Sequence, residues 1–204
     1  MPERFTPLFG TAALILGAIG WRILRQRRLH GGWGVVLFRG DWRQHIRDLG
    51  ALLFGGLIVW HALRAALWPE RAASLWPNAD LSAFFSGVGA VLMIEGVALA
   101  VIAQRDLGKS WRIGIEEGAK PGLVTHGLYR WRRNPIFFGM FVWAVGYTLA
   151  LFTPLSLVLL FGFYVGAALQ VRAEERYLLD AYGEAYRAYA RRVGCFVPFV
   201  GRMS

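Results

Sequence analysis

The fold is decided by a long uncharged stretch in the C-terminal half, NPIFFGMFVWAVGYTLALFTPLSLVLLFGFYVGAALQV, residues 134–171. None of its 38 residues is Asp, Glu, Lys, Arg or His. A helix needs about 20 residues to cross the hydrocarbon core of a bilayer, so this stretch is about twice as long as one span. Thr153-Pro154 lies near its middle. A turn there predicts two antiparallel membrane helices, residues 135–152 and 155–172, which form a hairpin.

Three further apolar segments precede the hairpin, and we expect membrane helices at residues 5–23, 48–68 and 81–103. The chain is 56% hydrophobic and 18% charged, whereas a soluble domain carries about 25% charged residues. A disulfide scaffold is excluded because the chain has one cysteine. The sequence therefore predicts an all-α polytopic membrane protein with about five transmembrane helices.

The positions of the basic residues test this number of spans, because Lys and Arg are enriched in cytoplasmic loops. Of the 23 Lys and Arg residues, 20 lie in three segments, residues 22–48, 104–133 and 172–204. Five spans with the N-terminus outside place all three segments in the cytoplasm. The net charge of +10 then reflects orientation and contact with anionic lipid, so no nucleic-acid partner is expected. The location expected is a bacterial inner membrane, with the C-terminus cytoplasmic.

Few polar groups lie inside the expected spans. Glu95 is the one carboxylate, and a charge at mid-bilayer costs about 2.5–3.5 kcal/mol on insertion scales. Two interpretations stay open for it, a substrate-contacting or proton-handling group and a protonated contact between helices. Gly162 and Gly166 form a small-xxx-small pair, which predicts close helix packing. The four histidines share no ligand spacing, so no metal site is expected.

Polar residues border both ends of the hairpin. Asn134-Pro135 suits a helix start, with Asn134 as the N-cap and Pro135 as the first helical residue. Glu174 and Glu175 follow the second helix, where adjacent carboxylates need partners if they lie beside a negatively charged leaflet. Antiparallel helices joined by a tight turn bring these two ends together. We therefore expect a polar cluster at the cytoplasmic interface that also includes several tyrosines, Arg133 and Arg172.

Several motifs in this half occur in a recognisable order: LVTHGLYR at residues 123–130, RNPIFFG at 133–139, Glu174-Glu175, and YGEAYRAY at 182–189. Together they resemble the isoprenylcysteine carboxyl methyltransferase and phospholipid methyltransferase superfamily, over about residues 104–198. The resemblance divides the chain into three N-terminal membrane helices with a basic loop, residues 1–103, and a methyltransferase-like module, residues 104–204. The module would comprise a cytoplasmic loop, the transmembrane hairpin 135–172 and a cytoplasmic amphipathic helix.

The resemblance implies an integral membrane methyltransferase that uses S-adenosylmethionine and has no Rossmann domain. Its acceptor would be a lipophilic or prenyl-type small molecule or lipid, methylated at the cytoplasmic membrane interface. Arg172 and Glu175 would be the catalytic residues, nearest the transferred methyl group and the acceptor. The family commonly has histidine at the position of Asn134 and tyrosine at the position of Phe137, so a histidine-based proton role does not carry over. The cofactor pocket would be lined by Val124, His126, Gly127, Tyr129, Asn134, Pro135 and Glu174.

Two other functions stay open from the sequence. A membrane reductase of the sterol-reductase type has a similar C-terminal module and binds NADPH. A catalytically silent membrane protein would keep the hairpin for packing or for interaction with partners. Stabilisation by S-adenosylhomocysteine or by NADPH separates the first two classes.

Overall fold

The structure, a computed structural model, describes residues 2–39, 41–69, 74–114, 122–196 and 200–201. These residues are helical almost throughout, and their only strand-like pairings are isolated bridges, Val35 with Ile113 and Arg132 with Gly194. Six helices are numbered here along the chain: α1 Glu3–His30, α2 Trp42–Leu67, α3 Ala79–Leu107, α4 Pro135–Ala150, α5 Pro154–Tyr182 and α6 Glu184–Arg192.

The predicted all-α membrane architecture is confirmed. Four helical segments are long and apolar enough to cross a membrane, namely α1, α2, Ala79–Ser110 and α5, and α4 is a shorter apolar helix of 16 residues. The helix expected to end at residue 172 continues to Tyr182, because the first residue that interrupts it is Gly183, with φ +52°. The separate amphipathic helix is therefore only the nine-residue α6. Residues 115–121 of the predicted loop lie outside the described residues.

Helices α3 and α4 pack with their backbones in direct contact. A Cβ atom added to Gly96 would lie 2.5 Å from the carbonyl oxygen of Gly139, and one added to Gly146 would lie 2.6 Å from that of Gly89. Only glycine therefore fits at these positions. Small residues at such contacts let membrane helices approach closely. The prediction for Gly166 is wrong, because a Cβ atom there would have no neighbour within 4 Å.

The turn of the hairpin is tied to α2 by a buried histidine. His61 Nδ1 lies 3.0 Å from the Tyr147 hydroxyl, and His61 Nε2 lies 3.3 Å from Thr153 Oγ1. The Tyr147 hydroxyl donates to the carbonyl oxygen of Ile58, which leaves its oxygen to accept from Nδ1–H. Both ring nitrogens of His61 are thus engaged in a structural contact between α2, α4 and α5.

The basic segments meet at one end of the bundle, which we call the basic end: the last turns of α1, α3 and α5, the first turns of α2 and α4, and the loops that connect them. Arg22 donates to the carbonyl oxygen of Gly108, and Gln44 donates to that of Val36, 3.1 Å away. Asp41 caps α2 by accepting from the Gln44 N–H. The Arg22 contact joins α1 to the segment that follows α3, and the Gln44 contacts fix the start of α2 against the loop before it.

We predict that Gly96→Ala lowers the free energy of unfolding by about 1–3 kcal/mol, because the added methyl group overpacks a backbone contact. Gly55→Ala on α2 is the matched control, since nothing lies within 4 Å of a Cβ atom there. The control should keep or raise the unfolding temperature, as glycine is a poor helix former. Thermal unfolding in detergent micelles measures both variants. Equal effects would contradict the close α3–α4 contact.

Candidate functional site

The two ends of the hairpin meet through a buried ion pair. Arg133 Nε donates to Glu175 Oε1 over 2.7 Å, and their side chains are 3% and 13% exposed. Burial alone would lower the pKa of Arg133, but the hydrogen bond and the charge of Glu175 outweigh it, so the pKa is raised. The predicted meeting of Arg133 with Glu175 therefore occurs, and it places a fixed charge pair beside α4.

The same guanidinium holds the C-terminal segment in place. Arg133 Nη1 donates to the carbonyl oxygens of Ala190 (3.1 Å) and Val193 (2.6 Å), and Nη2 donates to that of Gly201 (3.1 Å). The backbone N–H of Arg133 donates to the carbonyl oxygen of Gly194, 2.9 Å away. Arg133 thus joins α4 both to α5 and to the segment around the end of α6.

Asn134 occupies the N-cap position of α4, but its side chain makes no capping hydrogen bond. Its Nδ2 instead lies 3.4 Å from Glu175 Oε1 and 3.5 Å from both the carbonyl oxygen and Sγ of Cys195. The expectation that Asn134 caps the helix through its side chain is therefore wrong. Pro135 follows it, fully buried, at the first helical position as predicted. Burial, followed by the charge of Glu175, raises the pKa of the Cys195 thiol.

Glu174 has surroundings different from those of Glu175. It accepts a hydrogen bond from Gln170 Nε2 over 2.9 Å, one turn earlier in α5. The pKa of the Tyr129 phenol is raised, first because that phenol is buried and then because the charge of Glu174 is nearby. The Tyr129 carbonyl oxygen accepts from the Tyr189 hydroxyl over 2.6 Å. Glu174 thus faces the 123–130 motif, and none of the ion pairs among the described residues involves it.

The polar segment 122–130 is fixed at both of its ends. Gly122 N–H donates to the Tyr182 hydroxyl over 2.8 Å, and Leu128 N–H donates to Asp106 Oδ2 over 2.8 Å. Gly127 has φ +59°, and a Cβ atom there would overlap the Asp106 carboxylate, so both the backbone and the space require glycine. Between these anchors Val124 is half-buried, and His126 is exposed.

An amphipathic groove with a cavity of about 300 Å³ opens beside Glu174, between the first turns of α2 and the basic end of α5. Arg172 lies in this groove and is exposed, whereas Glu175 is held by Arg133. The two predicted catalytic residues therefore have different environments. The groove is lined by Trp42, Arg43, Ile46, Arg47, Leu169, Arg172, Ala173 and Arg176.

Among the described residues, three polar atoms near the site are buried without a hydrogen-bond partner, Arg47 Nε, Arg132 Nη1 and the Tyr186 hydroxyl. The Arg132 guanidinium stacks on the ring of Phe138 at 3.7 Å. Burial, and then the charge of Glu175, raises the pKa of Tyr186. Tyr186 belongs to the motif at residues 182–189, and Arg132 lies between the motifs at 123–130 and 133–139. The sequence does not predict either atom as part of the site, because it does not show which polar atoms stay unpaired.

Comparisons with known protein families, sequences and structures all point to one family. The family model of isoprenylcysteine carboxyl methyltransferases (ICMT) matches residues 89–180. A probable protein-S-isoprenylcysteine O-methyltransferase of Oryza sativa subsp. indica is 34% identical over 148 residues, which cover 69% of this chain and 71% of the relative. The protein-S-isoprenylcysteine O-methyltransferase of Saccharomyces cerevisiae is 34% identical over 116 residues. That match covers 55% of this chain and 48% of the yeast protein, so the alignment spans about half of that relative.

A solved structure shares the fold. It is that of the eukaryotic intramembrane Ras methyltransferase ICMT, without a monobody, with a TM-score of 0.64. The match covers 100% of this chain and 70% of the other, at 21% sequence identity. The arrangement of membrane helices described above is therefore one that a known polytopic membrane protein adopts.

We predict that Glu175→Ala lowers the free energy of unfolding by about 3–5 kcal/mol, because it leaves the buried Arg133 without its carboxylate. Glu184→Ala is the matched control, since the ion pair of Glu184 with Arg187 is 70% and 58% exposed, respectively. Exposed pairs contribute about 0–1 kcal/mol, so this control should unfold close to the wild type. Thermal unfolding in detergent compares the two. A wild-type midpoint for Glu175→Ala would contradict the ion pair's structural role.

Proposed function

Because this chain belongs to the isoprenylcysteine carboxyl methyltransferase family, we propose that it is an integral membrane methyltransferase that uses S-adenosylmethionine and a lipophilic acceptor. The observation that carries the proposal is the meeting of three polar segments at the basic end. Residues 122–130, the start of α4 and the end of α5 face one another there, next to an amphipathic groove. A reaction between a polar donor and a lipophilic acceptor requires such a boundary between water and lipid.

We further propose that the basic end faces the cytoplasm, since 20 of the 23 Lys and Arg residues lie in the segments assigned to it. The N-terminus would then be outside and the C-terminus cytoplasmic. Location in a bacterial inner membrane stays a prediction. The names of the relatives favour methyl transfer over an NADPH-dependent reductase and over a silent interaction protein.

A hydrogen-bond acceptor and a donor at the basic end suit S-adenosylmethionine. Glu174 is a carboxylate outside any described ion pair, so it can accept from an ammonium group or from ribose hydroxyls. Arg132 Nη1, buried and unpartnered, can donate to a carboxylate. When bound, the cofactor supplies an electrophilic methyl group on a sulfonium. The residues proposed to hold it are Val124, His126, Gly127, Tyr129, Asn134, Pro135 and Glu174.

The protein's contribution to methyl transfer is mainly orientation and exclusion of water. Pro135, Tyr186 and Tyr189 are buried around the Arg133–Glu175 pair and keep this region closed. We propose Arg172 and Glu175 as the residues nearest the acceptor. Arg172 can hold a carboxylate through its planar fork, whereas Glu175 also keeps Asn134 in position. Variants of Arg172 should therefore affect acceptor binding, and variants of Glu175 should affect stability as well.

The groove supports a specific acceptor class. Its walls combine apolar side chains with four arginines and include no carboxylate, which suits a lipophilic tail that ends in a negative charge. The relatives' names specify an S-isoprenylcysteine carried by a protein, and O-methylation. We therefore propose a lipophilic carboxylate of this type as the acceptor. The molecule that carries it can be a modified protein as well as a small molecule or a lipid.

We predict that Glu174→Gln weakens binding of S-adenosylhomocysteine by about tenfold or more, since a hydrogen bond to a charged group contributes about 1.5–3 kcal/mol. Isothermal titration calorimetry in detergent measures the affinity, and thermal unfolding checks that the variant stays folded. Glu184→Gln removes the same charge from exposed α6 and should bind like the wild type. Unchanged affinity in Glu174→Gln, or binding of NADPH in place of S-adenosylhomocysteine, would overturn the assignment.

We predict that an S-farnesylcysteine with a free carboxylate is methylated and that its carboxamide is not, because the amide lacks the nucleophilic carboxylate oxygen and the negative charge.

Arg172→Gln should raise the KM for the carboxylate by about tenfold with little change in cofactor affinity. Arg28→Gln, exposed near the end of α1, is the control of equal charge. Transfer of a labelled methyl group measures both variants. An unchanged KM in Arg172→Gln would exclude Arg172 from acceptor binding.

A further inference from the structure

Glu95 lies at the middle of a membrane helix and points away from the bundle. It is the seventeenth residue of the 32-residue segment Ala79–Ser110. At about 1.5 Å per residue, more than about 20 Å of helix separates it from either end, so its short side chain cannot reach the membrane surface. The residue is exposed, and within the described chain neither a hydrogen-bond donor nor a cation contacts its carboxyl group. It therefore neither joins helices within the chain nor lies in the candidate site.

The surface around Glu95 is apolar and follows one side of α3. The opposite side of the helix, with Gly89, Met93, Gly96 and Ala100, is buried in the bundle. The exposed positions recur at intervals of three or four residues, which is the spacing at which one helix packs along another. Gly87 has open space around it and permits close approach. We call this surface the Glu95 face; it consists of Phe84, Gly87, Val91, Ile94, Glu95, Ala98 and Ile102.

We propose that the Glu95 face is an interface between two copies of this chain, in which the two Glu95 carboxyl groups hydrogen-bond to each other across a two-fold axis. A carboxyl group exposed to hydrocarbon is costly unless it is neutral or paired, and polar groups that meet between membrane helices stabilise their association. The proposal does not depend on the function proposed above, because the face lies apart from the site and from the groove.

A second copy of this chain is the partner that the hydrogen-bonding chemistry of Glu95 favours. Two copies inserted in the same direction bring Glu95 to the same depth, where one carboxyl group donates and the other accepts. The spans of this chain carry no Lys or Arg at that depth that could serve as a different partner. His61, a buried residue of α2, already has both ring nitrogens engaged. The Glu95 carboxyl group of a second copy is thus the ionisable group at the depth where it can pair with Glu95.

Fluorescence energy transfer between labelled copies in phosphatidylcholine vesicles, at increasing protein-to-lipid ratio, tests the interface. The wild type should give saturable transfer, and Glu95→Leu should weaken association by about tenfold or more. Glu95→Gln should associate like the wild type, because an amide both donates and accepts. Tyr164→Leu is the matched control, since Tyr164 is an exposed polar residue on α5, and it should leave association unchanged.

A charge-swap variant gives a second test, and an interface held only by apolar contacts would not give the expected result. Glu95→Lys alone should fail to self-associate because two cations repel, but it should pair with the wild-type chain through a lysine–carboxylate contact. Glu95→Leu should keep the wild-type unfolding temperature at low protein concentration, since Glu95 makes no contact within the chain. Monomeric wild type at all ratios, or wild-type association of Glu95→Leu, would overturn the proposal.

Discussion

The Arg133–Glu175 pair is the contact on which the rest of the site depends. Burying a guanidinium is costly unless its N–H groups have acceptors, and Arg133 donates to one carboxylate and three carbonyl oxygens. These acceptors belong to α5, α6 and the C-terminal segment. One side chain therefore sets the positions of three segments relative to α4, and it brings Asn134 and Cys195 to the same carboxylate.

The apolar bundle gives this polar region a rigid base. The backbone contacts of Gly89 with Gly146 and of Gly96 with Gly139 fix α3 against α4. Each helix then positions one polar element: Asp106, near the end of α3, holds the turn at Gly127, and the start of α4 presents Arg133. The polar groups of the site are thus fixed by contacts within the apolar bundle, although they lie at its basic end.

Chain length and hydropathy predicted the helices, the hairpin and the meeting of Arg133 with Glu175, because an apolar run of that length has few ways to cross a bilayer. Local rules failed where tertiary contacts compete with them. The side chain of Asn134 contacts Glu175 and Cys195 instead of capping the helix. Of the glycine pair predicted to pack closely, Gly162 lies against Phe54 but Gly166 has no close neighbour, because spacing alone does not say which face meets another helix. The groove was not predicted, since Arg43 and Arg47 lie in a half of the chain without a recognised motif.

We propose that residues 122–130, the start of α4 and the region from α5 to α6 form one cofactor pocket. Hydrogen–deuterium exchange in detergent, with and without S-adenosylhomocysteine, measures whether these three segments bind the cofactor together. We expect slower exchange in residues 122–130, 133–138 and 172–189 together, no change in residues 51–67 of α2, and no effect of NADPH. Protection confined to one of the three segments, or protection by NADPH alone, would contradict it.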